Sequence, residues 1–202
     1  YIMTNVLEQF KLDEKVAIVT GGAMGLGKSM ATALAQAGSH IVIADINIAV
    51  AEETAEEIKK NENVEAIGLK VDVTDPDAVN KMVEDVLGQF GKVDILVNNA
   101  GMTINAKAEE MSFEDWNKVI NLNLNGIFLV AQAVGRVMIK QGYGSIINTS
   151  SMSGLIANKP QEQSSYNASK AGVIMLTKSL AMEWSKYNIK VNTIAPGYMK
   201  TE

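Results

Sequence analysis

The sequence predicts a three-layer αβα fold, an α/β domain in which helices cover both faces of a doubly wound parallel sheet. Two observations favour it. Short, β-branched apolar segments alternate with helical segments along the chain, which is typical of right-handed βαβ units. A glycine-rich turn also separates the first strand from the first helix. No repeat, linker or low-complexity segment divides the 202 residues, so we expect one domain over residues 1–202.

The predicted elements are apolar strands and the helices between them. Each strand is a short apolar run suited to a buried parallel sheet, at residues 15–20, 40–44, 64–71, 93–97, 144–149 and 189–195. Helices are predicted at residues 28–37, 48–60, 76–89, 113–140 and 166–187. Asp75 and Pro76 form a start signal for the third of these helices, because Asp caps the helix amino end and Pro suits its first position.

The glycine-rich turn predicts an anion site. Gly21, Gly22, Gly25 and Gly27 lie between the first strand and the first helix. Backbone N–H groups at a helix start point outward, and the missing side chains let a diphosphate approach. The strand before the turn and the helix after it favour a dinucleotide site over a chance glycine pattern.

Asp45 ends the second strand, eighteen residues after Gly27. A carboxylate there can accept hydrogen bonds from both ribose hydroxyls of an adenosine and would repel a 2′-phosphate. The cofactor predicted from this residue is NAD rather than NADP. The alternative is that Asp45 or Asn47 caps the helix that follows.

Polar residues and glycines follow every strand. Ligands of open parallel sheets bind beyond the carboxyl ends of the strands. We therefore expect the site at that edge, where the chain places Gly21, Asp45, Asp72, Asn99, Ser151 and Pro196.

Tyr166 and Lys170 stand four residues apart at the predicted start of a helix, and so share one face. A phenol ordinarily titrates near pH ~10, and a fixed ammonium one turn away favours the phenolate. The pair could therefore act as an acid/base centre. The alternative is an ordinary exposed tyrosine and lysine.

Composition narrows the function class. The formal net charge is −5, whereas nucleic-acid binding needs a basic footprint. The chain has no cysteine and a single histidine, His40, which argues against a thiolate nucleophile, a Ser-His-Asp triad and a His-based metal site. No uninterrupted apolar run reaches membrane-spanning length and no signal-peptide pattern opens the chain, so we expect a soluble, cytoplasmic protein without a membrane partner.

From about Leu12 onward the chain resembles the short-chain dehydrogenase/reductase family. The matching stretches are residues 20–27 (Thr-Gly-Gly-Ala-Met-Gly-Leu-Gly), 98–101 (Asn-Asn-Ala-Gly), 123–126 (Asn-Leu-Asn-Gly), 150–151 (Ser-Ser), 166–170 (Tyr-Asn-Ala-Ser-Lys) and 196–197 (Pro-Gly), with Thr201. The resemblance implies a Rossmann fold and an enzyme that transfers hydride between a small-molecule substrate and NAD.

The resemblance also implies four catalytic roles. Tyr166 would exchange a proton with the substrate oxygen, and Lys170 would bind the nicotinamide ribose and favour the phenolate of Tyr166. Ser151 would hydrogen-bond the reacting oxygen. Asn123 would anchor a water in a proton relay.

The remaining roles implied by the resemblance concern the cofactor. Asp72 and Val73 would meet the adenine, and the stretch from Asn99 to Gly101 the ribose side. Thr201 and the backbone near Met199 would hold the nicotinamide carboxamide. The full expected cofactor set is Gly21, Met24, Gly25, Leu26, Gly27, Asp45, Asp72, Val73, Asn99, Ala100, Gly101, Tyr166, Lys170, Pro196, Gly197, Met199 and Thr201.

Two features depart from the commonest family pattern. The gap from Ser151 to Tyr166 is fifteen residues, about two more than usual, which leaves Ser153 as an alternative to Ser151. The stretch 158–163 resembles that of sugar-alcohol dehydrogenases, so we expect a polyol and its ketose as substrates. The alternative is that residues 158–163 form a solvated loop without a role in substrate binding. The second departure is the end of the sequence, where the family's lid over the substrate and last strand are expected and do not follow.

The competing substrate class is another carbonyl compound such as a 3-oxoacyl thioester, and the competing function class is a non-catalytic nucleotide-binding regulator, which would be expected to lose Tyr166 or Lys170. The helix predicted at 113–140 carries more apolar residues than one buried stripe needs. Because relatives pair their long helices between subunits, we expect a homotetramer.

Overall fold

A computed structural model describes residues 5–201, and its six strands form one parallel sheet. Strands β1 to β6 are Val16–Thr20, His40–Asp45, Ala66–Lys70, Ile95–Asn98, Gly144–Thr149 and Ile189–Ile194. Their spatial order is β3-β2-β1-β4-β5-β6, so the chain builds the sheet outward in one direction from β1 and then outward in the other from β4. The predicted fold class is confirmed.

Six α-helices connect the strands. Helices α1 to α6 are Gly25–Gln36, Ile48–Glu62, Pro76–Phe90, Phe113–Ile120, Ile127–Gln141 and Ser164–Trp184. Asp75 caps α3 as predicted, because its side chain accepts a hydrogen bond from the backbone N–H of Asp77. Helix α1 begins at Gly25, three residues earlier than predicted, so Gly25 and Gly27 belong to its first turn, whereas Gly21 and Gly22 precede it.

Two hydrophobic clusters hold the three layers together. Successive residues of β1 point to opposite faces of the sheet, as in any strand. Val16 and Ile18 pack into the cluster under α3, α5 and α6, whereas Ala17 and Val19 pack into the cluster under α1 and α2. All five residues of β1 are buried, which explains why this strand reads as a continuous apolar run rather than as an alternating one.

The long helix predicted at 113–140 is helical throughout but is interrupted by a π-helical segment, Asn121–Gly126. Such segments are frequent at functional sites. The stretch Phe113–Gln141 is long and apolar enough to cross a membrane by length and composition, yet half of its most apolar window is buried within the protein. It is a core helix, packed on the sheet through α5.

The register of the sheet brings the predicted site residues together at one edge. Thr20 pairs with Asn98, and Asn98 in turn pairs with Asn148. On the other side of β1, Thr20 pairs with Ala44, the residue before Asp45. The carboxyl ends of β1, β2, β4 and β5 are therefore level, and the loops that follow them enclose a shared crevice.

Candidate active site

The crevice at the carboxyl edge contains two cavities that share Asn99 and Gly101. The first, about 460 Å³ in volume, lies beside the end of β5 and the start of α6, and we call it the serine-side cavity. The second, about 300 Å³, lies beyond the ends of β1, β2 and β3, and we call it the aspartate-side cavity. Predicted site residues on the serine side are Leu26, Ser151, Tyr166, Lys170, Pro196 and Gly197. On the aspartate side they are Gly21, Met24, Asp45, Asp72, Val73 and Ala100.

Two glycines of the turn permit a close approach of backbone to backbone. Gly21 has a φ of +59°, and a Cβ there would lie 2.9 Å from the Cα of Ala100. A Cβ on Gly27 would lie 2.0 Å from the carbonyl oxygen of Gly21. The side chain of Asn99 crosses this contact, since its Nδ2 donates to the carbonyl of Gly21 at 3.0 Å. The turn is therefore folded tightly against the end of β4.

Thr20 is a site residue that the sequence analysis did not assign a role. Its Oγ1 accepts hydrogen bonds from the backbone N–H groups of Asn99 and Ala100, at 3.0 and 3.2 Å. A hydroxyl side chain at the last position of a buried apolar strand was the signal that could have identified it. Thr20, the last residue before the glycine turn, therefore joins the end of β1 to the loop that follows β4.

Asp45 and Asp72 place two carboxylates on the wall of the aspartate-side cavity. Asp45 accepts hydrogen bonds from the backbone N–H groups of Ala23 and Asn47, at 3.3 and 3.0 Å. Asn47 caps α2 by accepting from the N–H of Val50, so the capping alternative holds for Asn47 and not for Asp45. One oxygen of Asp72 is bound by both the N–H and the hydroxyl of Thr74.

Lys170 is buried on the floor of the serine-side cavity, with 3% of its surface exposed. Its Nζ donates to the carbonyl oxygen of Thr149 at 2.8 Å and lies 5.6 Å from the centre of the Tyr166 ring. Burial lowers the pKa of Lys170 from 10.5 to about 8. The hydroxyl of Ser150, another residue without an assigned role, donates to the carbonyl of Lys170 at 2.7 Å and fixes this turn of α6 to the end of β5.

The structure distinguishes the two candidate serines. Among residues 5–201, the Oγ of Ser151 accepts only the backbone N–H of Ser153, at 3.1 Å, and so keeps its own hydroxyl proton for a ligand. The Oγ of Ser153 accepts two side-chain amides, from Asn158 and Gln163, each at 3.2 Å. Both serines line the cavity together with Tyr166. Ser151 is the less engaged of the two.

Asn123 lies fully buried in the π-helical segment, and its side chain is used within the protein. The side-chain amide accepts the N–H of Met102 at 2.8 Å and donates to the carbonyl of Met102 at 2.9 Å. It also donates to the Oγ of Ser169 at 3.1 Å. We call residues 99–106, which follow β4 and border the serine-side cavity, the rim loop. Asn123 therefore anchors the rim loop to α6.

The last described residues divide between two places. Pro196 and Gly197 line the serine-side cavity, and the carbonyl of Pro196 accepts the N–H of Met152 at 3.0 Å. Met199 and Thr201 instead lie along α1, in a groove of about 610 Å³ that also includes Gly25. The structure thus leaves these two predicted residues beside the start of α1, apart from both cavities. Within residues 5–201, no group of three or more potential metal ligands lies together.

The sequence matches the family described as short chain dehydrogenase over residues 15–202. The chain belongs to the short-chain dehydrogenase/reductase family. It is therefore an oxidoreductase that acts on a small molecule, from a family whose members use NAD or NADP. As the resemblance implied, the apolar strands and glycine turn are those of this family's Rossmann fold.

Similar proteins of this family act on different substrates. Sorbose reductase of Candida albicans is 41% identical over 201 residues, which cover 98% of this chain and 71% of that protein. An NADP-dependent mannitol dehydrogenase of Hypocrea jecorina is 42% identical, with 97% of this chain and 74% of that protein covered. A 3-oxoacyl-[acyl-carrier-protein] reductase of Thermotoga maritima is 44% identical, with 95% and 76% covered.

Solved structures agree with this assignment. A short-chain dehydrogenase/reductase from Mycobacterium marinum superposes with a TM-score of 0.95 at 40% identity, covering 98% of this chain and 78% of that one. A xylitol dehydrogenase bound to NAD⁺ superposes with a TM-score of 0.90 at 38% identity, covering 94% of this chain and 72% of that one.

Replacing Lys170 tests the cost of its burial. Its pKa is lower in the folded protein than in the unfolded chain, so the charge destabilises the fold below about pH 8, and this cost fades as the pH rises from about 8 towards 10.5. We expect Lys170→Met to raise the free energy of unfolding near neutral pH by about 2 kcal/mol, after subtraction of about 1 kcal/mol for the lost hydrogen bond.

The measurement is urea unfolding near neutral pH and near pH ~10, where the advantage of the variant should be small. Lys178→Met, at an exposed position of the same helix, is the control and should change stability by less than about 0.5 kcal/mol. A variant no more stable than the wild type at neutral pH would contradict the expectation.

The tight glycine turn gives a second prediction. Gly27→Ala should lower the free energy of unfolding by about 3 kcal/mol and abolish dinucleotide binding, because the new Cβ meets backbone that cannot move aside. Gly88→Ala is the matched control, since no described atom lies within 4 Å of its added Cβ and it lies inside α3. It should raise stability by about 0.5–1 kcal/mol. Stability is measured by urea unfolding and dinucleotide affinity by titration. Equal changes of both quantities in Gly27→Ala and Gly88→Ala would refute the close contact.

Proposed function

We propose that the protein is an NAD(H)-dependent dehydrogenase that interconverts a secondary alcohol and a ketone, with a polyol and its ketose as the substrate pair. One observation carries the proposal. Ser151, Tyr166 and Lys170 line one cavity, and that cavity shares Asn99 and Gly101 with a second cavity beside the glycine turn. A proton-transfer centre and a dinucleotide cradle therefore adjoin.

The residues of the crevice fit NAD. Gly25 and Gly27 carry no side chain in the first turn of α1, which leaves room for a diphosphate to approach the backbone there. Asp45 would hold the adenosine ribose, and Asp72 with Val73 would border the adenine. None of the described residues that line the aspartate-side cavity is Lys or Arg, and two carboxylates there would repel a 2′-phosphate. This favours NAD, although the similar mannitol dehydrogenase is NADP-dependent.

In the proposed mechanism, the hydroxyl of Ser151 hydrogen-bonds the reacting oxygen of the alcohol and directs it towards Tyr166. The phenolate of Tyr166 removes the hydroxyl proton as the carbonyl forms. The ammonium of Lys170, next to the Tyr166 ring, stabilises that phenolate. Bound nicotinamide supplies the hydride acceptor. In the reverse direction the phenol of Tyr166 returns the proton to the ketone oxygen.

Asn123 enters the proposed mechanism as a support. Its side chain is committed to Met102 and Ser169, and so it holds the rim loop at the level of the crevice. The role of Asn123 in anchoring a relay water stays a prediction. So does contact of Met199 and Thr201 with the carboxamide, for which these residues would have to leave the groove beside α1.

The polyol proposal rests on the wall of the serine-side cavity. Its amide side chains are Asn99, Asn105, Asn158, Gln161 and Gln163. Hydroxyl-rich substrates match such a lining, since each amide can both donate and accept hydrogen bonds. The similar sorbose reductase and mannitol dehydrogenase point to the same class. The 3-oxoacyl reductase, at 44% identity, keeps an acyl thioester as the competing substrate.

The homotetramer and the cytoplasmic location also stay predictions. Much of the apolar surface of the long helix packs within the chain, with Val130, Val134 and Met138 fully buried. Phe113 and Phe128 remain 78% and 40% exposed, and they would supply an apolar contact between subunits.

Replacing Tyr166 tests the proposed function. With the wild-type protein we expect NAD reduction by sugar alcohols in preference to hydroxyacyl thioesters and steroids. Tyr166→Phe should lower turnover by a factor of about 10²–10⁴, because the proton acceptor is lost, and should leave NAD binding nearly intact. Tyr143→Phe is the control, since Tyr143 immediately precedes β5 at the opposite edge of the sheet. Retained turnover in Tyr166→Phe would reject the role of this residue.

Replacing Asp45 tests the choice of cofactor. Asp45→Ala should reduce the preference for NAD over NADP by about tenfold or more, measured as the ratio of kcat/KM values, because a repelling charge and a ribose acceptor are both removed. Glu53→Ala removes an exposed carboxylate on α2 and should leave the ratio unchanged. An unchanged ratio in Asp45→Ala would refute the ribose assignment.

A further inference from the structure

A glutamine at the entrance to α6 shares the cavity of the proposed acid/base centre. Gln163 stands three residues before Tyr166, immediately ahead of the first helical residue, and both side chains line the serine-side cavity. Gln163 is 9% exposed, so its amide lies in the wall of the cavity rather than in bulk solvent. The polar atoms of an amide in this place take their hydrogen bonds from the protein, from water or from a ligand in the cavity.

The protein satisfies only the nitrogen half of the Gln163 amide. Its Nε2 donates to the Oγ of Ser153 at 3.2 Å and to the Oδ1 of Asn167 at 3.1 Å, which uses both amide hydrogens. The two acceptors lie on different elements, Ser153 in the 3₁₀ turn Met152–Gly154 and Asn167 in α6. The contact with Asn167 favours this orientation, because turning the amide over would direct its oxygen at the Oδ1 of Asn167, which can only accept.

The oxygen of this amide is therefore the group left for a ligand. Within residues 5–201, the Oε1 of Gln163 accepts no hydrogen bond, and it is not one of the buried unpaired atoms. The Oδ1 of Asn158 differs, since it is both unpaired and buried. Asn158 instead donates its Nδ2 to the Oγ of Ser153 and so braces the same cluster.

Because no described protein group donates to the Oε1 of Gln163, this oxygen favours ligands that carry a hydrogen-bond donor. A hydroxyl can donate to the Oε1 of Gln163, whereas a ketone, an ether or an alkyl chain cannot. The reacting oxygen of the substrate already has Ser151 and Tyr166 as partners in the proposed function, on which this inference rests. We propose that Gln163 determines specificity by accepting a hydrogen bond from a second substrate hydroxyl, one that is not oxidised.

The experiment compares two alcohols that differ by one hydroxyl, 2-butanol and 2,3-butanediol. Gln163→Met keeps the length of the side chain and removes its acceptor. It should lower kcat/KM for the diol about tenfold relative to the mono-alcohol, the effect of one lost neutral hydrogen bond, and leave kcat/KM for 2-butanol within about twofold of the wild type. Glu162→Met is the control, because Glu162 is exposed and lies outside the cavity wall. Equal losses for both alcohols would overturn the proposal.

A binding measurement separates this inference from the proposed function. Tyr166→Phe, loaded with NAD, is titrated calorimetrically with sorbitol, with and without the added Gln163→Met. Weaker sorbitol binding in the double variant supports the inference even when the wild type oxidises none of the alcohols, a result that would reject only the proposed function. Unchanged or undetectable sorbitol binding in both proteins overturns the inference.

Asn167→Ala provides a second route in case Gln163→Met does not fold. Removing the Oδ1 of Asn167 frees the Gln163 amide to turn, so the preference for the diol over the mono-alcohol should fall by a smaller factor. The side chain of Asn167 is only half-buried. An unchanged preference in a folded Asn167→Ala protein would overturn the proposal.

Discussion

The architecture of the site depends on the burial of one ammonium group, that of Lys170. Taking this charge out of water is costly and lowers the pKa of Lys170 to about 8, and among residues 5–201 the carbonyl of Thr149 is the one hydrogen-bond acceptor of its Nζ. The fold maintains the arrangement by joining β5 to α6 on both sides of that contact. Asn148 donates to Thr177 at 2.9 Å, and Ser150 donates to the carbonyl of Lys170. The burial that makes this charge costly also places it 5.6 Å from the centre of the Tyr166 ring.

The same edge of the sheet connects this cation to the glycine turn. Asn98, the last residue of β4, donates to Asn148 of β5 at 3.0 Å. The next residue, Asn99, donates to the carbonyl of Gly21. A continuous series of hydrogen bonds thus runs from the first strand through β4 and β5 to α6. A shift of the glycine turn would displace the loop after β4, which lines both the serine-side and the aspartate-side cavity, so the two cavities are structurally coupled.

Local sequence patterns predict the strands, the helices and the edge of the sheet at which the site lies. They do not predict which partners the individual side chains of the site contact. Apolar runs and glycine spacing predicted the six strands, and the four-residue spacing of Tyr166 and Lys170 predicted one face. The π-helical segment around Asn123 was not predictable, because the side chain of Asn123 forms hydrogen bonds with residues distant in the sequence, Met102 and Ser169. The places of Met199 and Thr201 depend on packing against α1, which no periodicity encodes.

The segment between Ser151 and Tyr166 contributes to the wall of the serine-side cavity while both of its ends are held in place. Neither end of the gap is free to move, because the backbone N–H of Met152, next to Ser151, bonds to Pro196, and Tyr166 belongs to α6. The stretch 158–163 lies between these two ends, and the hydrogen bond from the backbone N–H of Ala106 to the carbonyl of Glu162, at 2.8 Å, joins it to the rim loop. Loop residues on a rigid scaffold can vary without disturbing the groups they surround. In this chain the segment adds the amides of Asn158, Gln161 and Gln163 to the cavity wall, and under the proposed function substrate choice would change there while Ser151, Tyr166 and Lys170 stay in place.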